Sequence, residues 1–202
     1  KIFADPTGAG RTMIQQTFDR ATASQPEGPF ADFVATNHFW VVTGTDFAQT
    51  MQAQLPAVPA SNILVEPGRR NTWPAILWAL AHLRRQDPEA TLAILTADHV
   101  IGALPLFRQA LAQALAIAQQ REAIVTIGIQ PTADPQAWTG FGAIQAGEAT
   151  PALGPHVSRL NRFEEKPSRV RAGEMIAEGG WSWNSGMYVF RVSTAERALA
   201  QY

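Results

Sequence analysis

Four short runs of apolar, aromatic and β-branched residues punctuate the first two thirds of the chain: Phe39-Trp40-Val41-Val42-Thr43, Asn62-Ile63-Leu64-Val65, Thr91-Leu92-Ala93-Ile94-Leu95 and Ala123-Ile124-Val125-Thr126-Ile127. Runs of this length and composition read as buried strands. Between the second and third, Pro74 to Arg85 places Ile76, Leu77, Leu80 and Leu83 on one helical stripe. Between the third and fourth, Pro105 to Arg121 does the same with Phe107, Leu111, Leu115 and Ala118. Each stretch begins with a proline, which suits the first helical turn, where a backbone N–H goes unpaired in any case. Strands that are apolar on both faces need cover on both faces, and strand-helix-strand order supplies it through right-handed crossovers. The expectation is an α/β fold of Rossmann-like, doubly wound type, with a mostly parallel sheet and helices on both faces. In the second half, Thr139 to Ile144, Arg159 to Glu164 and Met187 to Arg191 read as further strands that extend or flank the sheet, with a short helix from Arg169 to Glu178. No internal repeat or linker divides the 202 residues.

Composition narrows the chemistry. With 16 basic against 17 acidic side chains the chain has no field that gathers a polyanion, so neither nucleic acid nor an anionic membrane is expected as a partner. The absence of cysteine excludes a disulfide framework, a thiolate nucleophile, a thiolate zinc site and an iron–sulfur cluster. The four histidines, His38, His82, His99 and His156, show no metal-ligand spacing. No apolar stretch approaches the roughly 20 residues of a membrane span, and Lys1-Ile2-Phe3-Ala4-Asp5 resembles no signal peptide, so a cytoplasmic protein is expected. The oligomeric state is not written in the sequence; a homodimer is compatible with it. The first residue is Lys and the last, Tyr202, lies inside a helical pattern, which suggests part of a longer polypeptide.

In open α/β sheets ligands lie beyond the carboxyl ends of the strands, so polar residues just after an apolar strand take priority. Glu66-Pro67-Gly68-Arg69-Arg70-Asn71-Thr72 runs from a strand to a helix start and reads either as an anion or base-edge site or as a turn in which Asn71 or Thr72 caps the helix. Thr96-Ala97-Asp98-His99 places a carboxylate where it can hold Mg²⁺ through one oxygen while phosphates and water complete the octahedron. The alternative is a loop aspartate bonded to nearby backbone. Glu165 and Lys166 follow another strand; if Pro167 bends the chain there, an acceptor for sugar hydroxyls stands beside a cation for phosphate, and otherwise they are a surface pair. Trp181 and Trp183 read as packing residues more readily than as stacking platforms. Gly8-Ala9-Gly10-Arg11-Thr12 follows no apolar strand and lacks the Gly-Lys-Ser/Thr ending of a phosphate loop, so it reads as a turn.

In order and spacing, eight collinear segments resemble the bacterial mannose-1-phosphate guanylyltransferases among the sugar-1-phosphate nucleotidyltransferases. They are Lys1-Ile2-Phe3; Thr12 to Arg20; Glu66-Pro67 with Arg70-Asn71-Thr72, Pro74 and Ala75; Ala97-Asp98-His99; Thr126-Ile127-Gly128-Ile129 with Pro131-Thr132; Thr139-Gly140-Phe141-Gly142; Glu164-Glu165-Lys166-Pro167; and Trp183-Asn184-Ser185-Gly186-Met187. The resemblance implies one nucleotidyltransferase catalytic domain over residues 1–202, incomplete at both ends, because the family's G-G-x-G-x-R loop would precede Lys1 and a second metal-binding Asp would follow Tyr202. It implies transfer of a guanylyl group from GTP to mannose 1-phosphate with Mg²⁺. Asp98 would be the metal ligand and, with Lys1 and Lys166, catalytic; Glu66, Arg70, Asn71, Thr72 and Asp98 would bind the nucleotide, with Lys1 on its phosphates. Gly140, Glu165, Asn184 and Ser185 would contact the sugar, and Lys166 the sugar phosphate.

The chain departs from the family's pattern at Phe141 and Ala143, both usually Tyr, at Trp73 and Thr96, and at Gln136-Ala137-Trp138, which reads as a lengthened loop. Another sugar 1-phosphate, or a non-catalytic relative that binds nucleotide-sugar, therefore stays open. An NAD-dependent oxidoreductase is disfavoured because no G-x-G-x-x-G follows a first strand. A glycosyltransferase is disfavoured because such enzymes usually present an Asp-x-Asp metal motif, which Asp98-His99-Val100 does not carry.

Overall fold

The computed structural model describes residues 1–22, 34–68 and 72–201. In chain order its elements are α1 (Met13–Ala21), β1 (Val41–Gly44), α2 (Ala48–Gln54), β2 (Ile63–Glu66), α3 (Thr72–Leu83), β3 (Thr91–Ile94), α4 (Leu104–Gln120), β4 (Val125–Ile129), α5 (Pro135–Trp138), β5 (Ala143–Ala149), β6 (Ser158–Glu164), α6 (Arg169–Glu178), β7 (Trp181–Arg191) and α7 (Val192–Leu199). The expected α/β architecture with helices on both faces is present.

Strand direction differs from the expectation. Strands β1 and β2 pair in parallel, Val41 opposite Ile63. Strand β7 is the axis of a five-stranded sheet and runs antiparallel to β3, β4 and β5, with β6 beyond β5. Since β3 and β4 both oppose β7, they run parallel to each other with β7 between them, and the sheet is mixed. The apolar pattern explains why the expectation went only halfway: Met187, Val189 and Phe190 are each at most 2% exposed, and such a run fixes a central position without fixing direction.

Alternation along β7 sorts the core. Met187 and Val189 meet Phe107, Leu111, Ala114 and Ala118 of α4 on one face. Phe190 and Tyr188 meet Ile76 and Leu80 of α3 on the other, with Val192 and Ala195 of α7. Helix α3 also packs Ala79 and Leu83 against Leu64 of β2, so it bridges the two sheets. Helix α1 covers β1 with Ile14 and Phe18. A capping box opens α1, in which the Thr12 hydroxyl accepts from the Gln15 N–H and the Gln15 side chain accepts from the Thr12 N–H.

One segment read as a loop takes regular form. Gln136 to Trp138 lies in α5, and Trp138, 1% exposed, is core, its Nε1 donating to the Thr132 carbonyl at 2.9 Å. Trp181 to Gly186 forms the first half of β7. The Gly8-Ala9-Gly10 segment is a turn folded around Asp5, whose carboxylate accepts from the N–H groups of Thr7, Ala9 and Gly10.

Candidate active site

The carboxyl ends of β3 and β4 and the start of β5 converge on one stretch of β7. Ile94 of β3 pairs with Tyr188, and the chain leaving β3 passes close to Gly186. Gly128 and Ile129 of β4 pair with Asn184 and Trp183, and Ala143 of β5 pairs with Trp183. Gly186 has a φ of 71°, and a methyl group placed on it would stand 3.3 Å from Thr96 Cγ2. A glycine thus lets β7 bend close to the turn that carries Asp98.

Asp98 sits in that turn with its side chain 45% exposed, and Lys1 Nζ lies 3.3 Å from Oδ2. The structure therefore joins two residues 97 positions apart that the family resemblance had put on one nucleotide. An ion pair this exposed contributes at most about 1 kcal/mol, so the contact is weak enough to be exchanged for a cation or a phosphate. Among the described residues no three acidic, histidine or cysteine side chains gather into a metal cage. A single open carboxylate nevertheless fits a hard divalent ion that takes its remaining ligands from phosphate and water. Behind the turn, His99 is pushed below the ordinary histidine range chiefly by burial, so it is neutral at pH 7.

Glu165 and Lys166 continue β6 beside the start of β5. Lys166 has a φ of 45°, the left-handed region, and the bend brings Lys166 Nζ to 3.0 Å from Glu165 Oε1. The two side chains thus stand together, 58% and 62% exposed. Gly142 makes room for them: a methyl group there would lie 2.9 Å from Glu165 Oε2 and 3.1 Å from the Phe163 ring. The Gly142 carbonyl accepts from the Asn184 N–H at 2.7 Å, which ties Gly140-Phe141-Gly142 to β7.

The Asn184 side chain is braced on three sides. Its Oδ1 accepts from Thr126 Oγ1 at 2.9 Å and from the Gly186 N–H at 3.3 Å, and its Nδ2 donates to the Tyr188 hydroxyl at 2.9 Å. Among the described residues the second N–H of Nδ2 has no partner. Ser185 is turned the other way: it is 3% exposed, and its hydroxyl accepts from the Met187 N–H. Trp181 is buried against Met175 of α6, while Trp183 is partly buried and stacks on Phe141 at 4.8 Å between ring centroids. Phe141 is itself 43% exposed and forms an apolar shelf next to Gly140 and Gly142.

Among the residues that the resemblance assigns to the nucleotide, Glu66 ends β2 and lines an open groove of about 440 Å³ with Pro67, Gly68, Pro74, Leu77 and Trp78. Thr72 is the first residue of α3. Arg70 and Asn71 lie outside the described residues. Sequence reasoning missed the braces: Thr126 and Tyr188 behind Asn184, and Arg20 behind the Asp98 turn. Thr126 and Arg20 fall within matched segments, yet a motif match does not say which way a side chain points.

A family model described as Nucleotidyl transferase matches residues 6–201. The chain belongs to the nucleotidyl transferase family. The chain is 40% identical over 191 residues to the mannose-1-phosphate guanylyltransferase of Escherichia coli, covering 95% of this chain and 38% of that one. It is 39% identical over 182 residues to the alginate biosynthesis protein AlgA of Pseudomonas aeruginosa, covering 90% of this chain and 35% of that one. The chain thus spans well under half the length of these curated relatives. Among solved structures, one described as mannose-1-phosphate geranyltransferase from Thermus thermophilus superposes with a TM-score of 0.76 at 28% identity, covering 92% of this chain and 49% of that one. One described as mannose-6-phosphate isomerase from Helicobacter pylori gives 0.73 at 26% identity, covering 95% and 66%. Nucleotidyltransferases generally use a divalent metal, and no helix of the described residues is long and apolar enough to cross a membrane.

Proposed function

We propose that the protein carrying this chain transfers a guanylyl group from GTP to mannose 1-phosphate, with Mg²⁺, releasing pyrophosphate and forming GDP-mannose. The observation that carries this reading is the convergence on one stretch of β7 of an open carboxylate, Asp98, and a Glu165–Lys166–Asn184 cluster. The names of its relatives point to the same substrates.

The reaction needs no protein nucleophile. A phosphate oxygen of the sugar 1-phosphate attacks the α-phosphorus of GTP in line; the bond from that phosphorus to the β-bridging oxygen breaks, and pyrophosphate leaves with its electron pair. The protein's task is to position two anions and offset their repulsion. Bound Mg²⁺ would neutralise charge on the triphosphate, and Asp98 is the residue that would hold it. Lys1 and Lys166 would neutralise the nucleotide phosphates and the sugar phosphate, respectively. Glu165 would accept hydroxyl protons of the hexose, the second Nδ2 N–H of Asn184 would donate, and Gly140 would let the sugar approach the backbone. Glu66 and Thr72, with Arg70 and Asn71, would recognise the nucleotide.

Pyrophosphate release by the full-length protein, measured with mannose 1-phosphate and each of GTP, ATP, UTP and dTTP, tests the assignment. GTP is expected to be preferred, and preference for another nucleotide would overturn it. Replacing mannose 1-phosphate by glucose 1-phosphate under the same conditions tests the sugar. No pyrophosphate with any pair would favour the non-catalytic relative.

A further inference from the structure

We propose that Arg20 is a positioning residue for Asp98: its guanidinium clamps the main-chain turn from Thr96 to His99 in the form that presents the carboxylate to a divalent cation. The inference rests on the metal-holding role given to Asp98 above, and the experiment below separates the two.

Arg20 lies in the last turn of α1 and is 5% exposed. One terminal nitrogen donates to the His99 carbonyl at 3.0 Å; the other donates to the Thr96 carbonyl at 3.2 Å and to Thr17 Oγ1 at 2.7 Å. Those two carbonyls bracket Ala97 and Asp98. Pinning both from inside fixes the two ends of the turn, and Asp98 is left facing outward to Lys1. The guanidinium meets the two carbonyls with two separate nitrogens held in one plane; an ammonium also has several donors, but all sit on one nitrogen and fix neither spacing nor direction.

Stability does not account for the arrangement. Among the described residues no carboxylate pairs with Arg20, and burial alone pulls its pKa down to about 10, still charged at neutral pH. Among the same residues its Nε has no hydrogen-bond partner, nor does the Thr96 hydroxyl. A buried cation without an anion is a costly way to fill space that an apolar side chain would fill more favourably. What the guanidinium provides is a fixed position. Its central carbon lies 5.9 Å from the centre of the Phe107 ring of α4, and Arg108 of α4 reaches the Asp19 and Arg20 carbonyls at 3.5 Å. Helix α4 therefore seats the end of α1, and α1 seats the turn. On the opposite side Gly186 presents no side chain to the turn, while Ala97 packs against the core cluster of Ile14 and Phe18, so α1 holds the turn both by packing and by the two hydrogen bonds.

The test uses the full-length protein with GTP and Mn²⁺ as an observable divalent probe, the free and bound ion being counted by electron paramagnetic resonance. Arg20→Lys keeps the charge and loses the fork. It is expected to weaken Mn²⁺ binding in the presence of GTP about tenfold or more, the usual effect of removing a partner that orients a metal ligand, and to lower kcat while KM for the sugar phosphate changes little. Phe107→Leu removes the ring beneath the guanidinium and leaves its hydrogen bonds; a smaller weakening in the same direction is expected, which keeps the test decisive if Arg20→Lys does not fold. Asp98→Asn is the reference. If Asp98→Asn leaves Mn²⁺ binding unchanged, the metal role itself falls. If Asp98→Asn weakens binding while folded Arg20→Lys or Phe107→Leu binds Mn²⁺ as tightly as the unsubstituted protein and loses only thermal stability, Arg20 is a core residue and the inference is overturned.

Discussion

Gly142 and Lys166 show two different ways in which a single position shapes the site. Gly142 is required by what lies in front of it: the Glu165 carboxylate and the Phe163 ring occupy the space a side chain would need. Gly142→Ala is therefore expected to push Glu165 aside. If Glu165 accepts a sugar hydroxyl, the lost charge-assisted hydrogen bond is worth roughly 1.5–3 kcal/mol, about one to two decades in KM for the sugar phosphate. KM for GTP should stay near its original value, and steady-state kinetics with each substrate varied in turn checks both. Lys166 is a lysine at a φ of 45°, a conformation that costs on the order of 1 kcal/mol or more for a residue with a Cβ. That strain is what lets it fold back onto Glu165. Pro167 signalled that a bend was possible, but nothing in the residue type of Lys166 signals a left-handed backbone. The pair was therefore legible as a candidate and its geometry was not.

The elements were more legible than the way they join. All three predicted helices and all four early strands form, because apolar periodicity reports which faces are covered. Of these strands only β1 and β2 bury residues fully, while β3 and β4 are at most partly buried, so the strands are less buried than expected. Strand direction and the first half of β7 were not read, since Trp181 to Gly186 mixes polar and aromatic residues and its partners come from other strands. Helix α6 shows how such a strand is held from the flank. Arg171, 22% exposed, pairs with Glu164 at the end of β6 and with Glu174 and Glu178 on its own helix, and lies 5.5 Å from the Trp181 ring. Hydrogen bonds from Arg171 and then from the Trp181 indole hold Glu178 below the ordinary carboxylate range. A group depressed on folding stabilises above its unfolded pKa, and that contribution is lost as pH falls through the folded value. Arg171→Met is thus expected to lower Tm at pH 7, and the gap to the unsubstituted protein should close as pH drops below about 4, where unfolded glutamate is itself protonated. A gap independent of pH in thermal unfolding would mean that packing on Trp181, not charge, is what Arg171 supplies.

Across the whole molecule the two candidate substrate regions hang on different supports. The side proposed for the nucleotide lies at the ends of β2 and β3 and the start of α3; the side proposed for the sugar lies where β5, β6 and β7 meet. They come close at Gly186, where a methyl group would stand 3.3 Å from Thr96 Cγ2, and a substitution on either side is expected to act mainly on its own substrate. Lys166→Ala removes a cation from the sugar side and leaves Glu165 in place. Arg70→Ala removes one from the segment that leads into α3. Each lost charge-assisted contact is worth about one to two decades in affinity for the anion it meets. Lys166→Ala should therefore raise KM for the sugar phosphate strongly and that for GTP weakly, while Arg70→Ala should do the reverse. Because the two groups belong to separate segments, one following β2 and the other β6, the double substitution should show the two losses adding. A pair that instead weakens the same substrate, or couples strongly, would place both cations on one phosphate chain. Lys166 would then belong with Lys1 on the nucleotide, and the sugar phosphate would have to be held by a residue not yet assigned.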